Sequence, residues 1–151
     1  MKKNTVIIIL TIAVAALLCV IIGMTVSRRS ETEKINLQFK SCYNMFIAEA
    51  RNGNISGDLQ NPNRYDIETA KYAYELNDLY YYTSYSDNTA LLNIITLLDQ
   101  AVGNYRYYPD FSFADMPQQT YDMLVELSLH FDDEQLSQLT LSSLQAEMHI
   151  N

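Results

Sequence analysis

The stretch that decides the fold is Thr5–Val26, TVIIILTIAVAALLCVIIGMTV, 22 residues without one charged side chain and mostly Ile, Val, Leu and Ala. Wound as a single helix it reaches about 33 Å at ~1.5 Å per residue, enough to span a bilayer core. Lys2 and Lys3 precede it and Arg28 and Arg29 follow, so both ends carry side chains long enough to reach headgroups. A cleaved signal peptide is the competing reading, with an apolar region of ~7–15 residues and a small-x-small cleavage site. The run is longer than that. Ala13-Val14-Ala15 lies in its middle, which leaves Thr25-Val26-Ser27 as the better-placed cleavage candidate. Leu17-Leu18-Cys19 superficially resembles a lipoprotein box, but Leu18 stands where a small residue is needed and the apolar run continues past Cys19. The expectation is a short tail at residues 1–4, a transmembrane signal-anchor helix at 5–26 embedded in the lipid bilayer, and a separate domain at 30–151.

Orientation follows from two opposed signals. Lys2, Lys3 and the amino terminus face Arg28, Arg29, Lys34 and Lys40 across the span, a count that slightly favours a cytoplasmic C-terminal domain. The short basic N-terminus is typical of anchors, and an acidic domain lacks the positive charge that resists export. The expected arrangement is a single-pass membrane protein with its C-terminal domain extracytoplasmic.

Outward from the anchor the charge reverses. The whole chain of 151 residues carries a formal charge of −8, yet Met1–Arg29 holds four basic and no acidic residues, leaving six basic against eighteen acidic beyond it. Such a domain repels phosphate backbones, so no nucleic-acid partner is expected. Two cysteines, one of them inside the apolar run, exclude a disulfide scaffold and a Cys-type zinc site.

Four glycines and three prolines leave few breakers, and no alternating strand pattern competes, so the acidic domain reads as all-α, a small bundle of four to five helices. The first soluble helix should run from about Ser30 to Asn52 with Ile35, Phe39, Cys42 and Phe46 on one face, either packed inside the bundle or, less economically, against a second copy. Nothing between Met24 and Asn52 breaks a helix, so the span is expected to continue into it. The second helix, Pro62 to Ser84, places Tyr65, Thr69, Tyr72, Leu76, Leu79 and Thr83 on one side. Ser86 and Asp87 are cap candidates for a third helix, ending near Arg106, with the stripe Leu91, Ile94, Ile95, Leu98, Ala101, Val102 and Tyr105. Tyr107–Phe113 reads as an aromatic loop. A fourth helix is expected over Met116–Phe131 with Leu124, Leu127 and Phe131. A fifth follows over Asp133–Met148 with Leu136, Leu139, Leu144 and Met148, the junction marked by Asp132 and Gln135 as a capping box.

The catalytic inventory is thin. No phosphate-loop, dinucleotide, zinc-protease or nucleophile-elbow motif is present, and the histidines are His130 and His149 alone. Glu126 and His130, four apart and followed by Asp132, Asp133 and Glu134, form the best metal-like grouping, but they point away from the Leu124, Leu127 and Phe131 stripe and read as a solvated face. The scattered aspartates lack the alternation of a calcium loop, and Asn54-Ile55-Ser56 matches a glycosylation sequon. No catalytic residue, metal or cofactor is expected, and no enzyme activity.

Twelve tyrosines are the compositional oddity. Tyr74, Tyr81 and Tyr85 recur at i, i+7 and i+11 on the second helix, off its main apolar face. Either this arc is covered by other helices, or it joins Tyr107, Tyr108, Phe111 and Phe113 as an exposed aromatic patch, since tyrosine offers large contact area at small entropy cost. The functional expectation is a membrane-anchored helical interaction module or accessory subunit of a cell-envelope complex, with a protein partner and a possible homodimer. The alternative is an extracytoplasmic ligand-sensing bundle with an aromatic cleft, signalling through a partner chain.

Overall fold

The computed structural model describes residues 3–52, 67–103, 108 and 111–150, and among them every regular element is helical. In chain order these are α1 (Lys3–Asn52), α2 (Ile67–Tyr80), α3 (Thr89–Gly103), α4 (Gln118–Leu127) and α5 (Glu134–Glu147). The chain divides into two compact units, Met1–Lys34 and Ile35–Asn151.

In the first unit α1 is long and apolar enough to cross a membrane. None of its most apolar eighteen-residue window is buried, and Leu10, Leu17, Val20, Ile22 and Val26 are exposed. Burying one such side chain is worth ~1.5–3 kcal/mol, which is what water denies this surface and an apolar solvent would supply. Past the apolar run Arg29 and Glu33 pair at 3.3 Å, but both are largely exposed, so the pair adds little.

The second unit is the helical bundle. Its core begins on α1, which continues unbroken through Asn52, as the absence of breakers implies. Phe39, Cys42 and Phe46 are buried inside this unit, so this face closes intramolecularly; Tyr43, Ile47 and Ala50 widen it, while Ile35 is half-buried. α3 packs against α2 and α5, and α5 against α4. The stripe expected on α3 is buried throughout the described positions, Leu91, Ile94, Ile95, Leu98, Ala101 and Val102; Tyr105 lies outside the described residues.

Several boundaries differ from the sequence expectation. The expected start of the second helix at Pro62 and the face residue Tyr65 lie outside the described residues. At the other end α2 stops at Tyr80 rather than Ser84, because the Thr83 hydroxyl donates to the Tyr80 carbonyl at 2.7 Å and the chain leaves in a tight turn. Its buried face is Thr69, Ala73, Leu76 and Tyr80, with Tyr72 and Leu79 at the edges, and Thr83 is buried in the turn that follows. The cap of α3 is Asn88 rather than Ser86 or Asp87: its Oδ1 accepts from the Leu91 amide at 3.1 Å. α4 begins at Gln118 and ends at Leu127, both ends inside the expected span, and successive i to i+3 turns carry the chain to Phe131. The α5 cap is Asp133, accepting from the Leu136 amide at 2.9 Å, one residue beyond the expected Asp132.

On α5 the expected Leu139 is exposed and Leu136 half-buried; the inner face is Ser137, Thr140, Leu141, Leu144 and Met148. Ser137 and Thr140 can be buried because their hydroxyls donate to the carbonyls one turn back, Asp133 at 2.9 Å and Leu136 at 2.8 Å. α5 ends in a left-handed residue, His149 at φ 55°, with its amide bonded to the Ala146 carbonyl and that of Ile150 to Gln145.

Candidate interaction surface

The early end of α2 decides where its tyrosines go. Continued helix to Ser84 would align Tyr74, Tyr81 and Tyr85 on one arc; the turn after Tyr80 separates them. Tyr74, on α2 itself, is 68% exposed, and Tyr81 and Tyr82, first in the turn, are 63% and 68% exposed. Tyr81 is steadied by the ring of Tyr80, edge-on at 5.5 Å between centroids. Tyr80 is buried beneath it, its hydroxyl donating to the carbonyls of Asn88 at 2.7 Å and Ser86 at 2.9 Å. Burial, then the charge of Asp87 and the neighbouring Tyr81, pushes the pKa of that hydroxyl above its ordinary value.

Tyr85 turns the other way. Its ring packs 5.3 Å from Phe131 and 6.1 Å from Phe39, both core residues. Phe111 and Phe113 are not part of an exposed patch: both are buried, 4.9 Å apart, with Phe113 against Phe46 at 5.8 Å. Aromatic residues without helical period read as surface loop in the sequence, but here they plug the bundle. Tyr108 is half-buried, its hydroxyl donating to Gln100 at 3.1 Å, and Tyr107 lies outside the described residues. Of the described residues expected to form a patch, Tyr74 and Tyr81 stand on the surface, and Tyr82 is exposed as well. Its signal was present in Thr83-Ser84 and Ser86-Asp87, residue types whose side chains compete for backbone groups and end helices.

Below the turn lies a cleft of about 190 Å³ lined by Ser84, Tyr85, Asp87, Asn88, Asp132 and Glu134. Two turns form it, the one after α2 and the one before α5. Asn88 ties them together: its side-chain amide donates to the Phe131 carbonyl at 3.0 Å and to the Ser137 hydroxyl at 2.8 Å. Ser84 is fixed to α1 by a reciprocal pair with Asn36, at 3.0 and 2.8 Å. Burial first, and then the charge of Asp132, pushes the pKa of the Tyr85 hydroxyl above its ordinary value. Among the described residues no three His, Cys, Asp or Glu side chains are grouped closely enough to hold a metal ion.

Glu126 and His130 pair at 3.4 Å with both side chains more than half exposed, the solvated face expected of them. Cys42 is shielded, its thiol donating to the Tyr72 carbonyl at 3.4 Å. Burial, followed by the charge and the hydrogen bond of Glu75, pushes this thiol up to about 12. It is no nucleophile at neutral pH. The expected sequon, Asn54-Ile55-Ser56, lies outside the described residues. Comparison of the chain with known protein families, curated proteins and solved structures finds no match.

Proposed function

We propose that this chain is a single-pass, membrane-anchored helical interaction module, or an accessory subunit of a cell-envelope complex, with its acidic bundle on the extracytoplasmic side and no catalytic role. The observation that carries the proposal is the exposure of Tyr74 on α2 and of Tyr81 and Tyr82 in the turn after it, in a bundle that buries Tyr43, Tyr80, Phe39 and Phe46 completely or nearly so. Large aromatic rings held in water by a fixed turn are the side chains that anchor protein contacts. Residues 5–26 supply the membrane tether. The cleft between the turn after α2 and the turn before α5 is acidic, and among the described residues Tyr85 is the one ring that lines it, which supports protein docking over capture of a small aromatic ligand.

The test is crosslinking and co-purification of the tagged full chain from its own membranes, comparing wild type with Tyr81→Ala/Tyr82→Ala and with Leu139→Ala, an exposed site on α5. A partner should be recovered with wild type and Leu139→Ala and fall at least tenfold in the tyrosine double variant. Equal recovery in all three would overturn the assignment of the surface. Extraction of membranes at alkaline pH should leave the chain in the pellet, and protease added to intact cells should remove the bundle. Release into the supernatant refutes the tether, and a protected bundle refutes the orientation.

A further inference from the structure

We draw no further inference here: the strongest candidate, the ridge of small side chains Thr11, Ala15, Cys19, Gly23 and Ser27 at every fourth position along the apolar part of α1, is a surface stripe with no second observation that points to a ligand, and nothing in the structure shows what covers it.

Discussion

Replacing Asn88 by alanine removes three hydrogen bonds that hold two turns in register. One is the α3 cap to the Leu91 amide, worth ~1 kcal/mol. A second is the donor to the Phe131 carbonyl; left unmade in a buried site, that carbonyl costs ~1–3 kcal/mol. The third goes to Ser137, whose hydroxyl retains its bond to Asp133 and loses less. The sum is about 3 kcal/mol, a large share of the ~5–15 kcal/mol that holds a domain folded. All twelve tyrosines lie at or after Tyr43, and the chain has no tryptophan, so near-ultraviolet circular dichroism reports the bundle and is silent on the apolar segment. Urea unfolding of the full chain in mild detergent, followed by that signal, should show the Asn88→Ala midpoint lowered by roughly 1.5 M, given a slope of ~2 kcal/mol per M. Asn88→Ser keeps a capping oxygen and loses the amide donor, so it should recover about 1 kcal/mol and no more. An Asn88→Ala midpoint within ~0.3 M of wild type would refute the reasoning. So would full rescue by serine, because the bonds between the turns would then contribute nothing.

Four further outcomes are expected. Phe131→Ala, which empties the space against Phe39, Tyr43 and Tyr85, should cost ~3–5 kcal/mol, whereas Leu139→Ala should stay within ~0.5 kcal/mol; a reversed order in the same urea assay would contradict the burial pattern. Cys42 should resist iodoacetamide at pH 8 until urea unfolds the bundle, and labelling of the native chain at this position would show that the thiol is not shielded. Its thiol is harder to ionise folded than at its ordinary value of 9.0, so the stability it confers is intact below pH 9 and lost as pH rises toward about 12; Cys42→Ala should flatten the alkaline slope of stability, and an unchanged slope would count against it. His149→Gly relieves a left-handed residue and should raise stability by ~1 kcal/mol, seen as a melting point a few degrees higher, while a lower one would discredit the reading of the α5 terminus.

The helical class, the apolar N-terminal helix and the α3 stripe were legible in the sequence because each rests on a long, regular apolar period. Two of the caps were misplaced by one residue for a simple reason. Ser86, Asp87 and Asn88 all cap well, as do Asp132 and Asp133, and only the backbone path decides which oxygen meets the amide. On α5 the inner face includes Ser137 and Thr140, which hydropathy counts as polar; their hydroxyls are satisfied within their own helix, and this is invisible to a search for leucines. The candidate surface was half legible. The tyrosine period located Tyr74 and Tyr81, but it treated the helix as four residues longer than it is, and so misjudged Tyr85 and missed Tyr82. Phe111 and Phe113 carry no period at all, and their burial comes from tertiary packing, Phe113 against Phe46 and Phe111 against Phe113.

One helix depends on its neighbours to exist. α4 has ten residues, follows Pro117 at a cap position with no side-chain hydrogen bond, and is shorter than the ~12–15 residues below which an isolated helix is marginal in water. α1 holds both its halves. Arg51 reaches Gln118 at 2.8 Å and stacks 4.1 Å over the Tyr121 ring, and the Tyr43 hydroxyl donates to the Leu124 carbonyl at 3.0 Å. Its winding is thus borrowed from α1 and from α5, against which it packs. Once those clasps slip, α4 should be first to melt while the rest of the bundle stands, and deuterium should enter its amides well before those of α3.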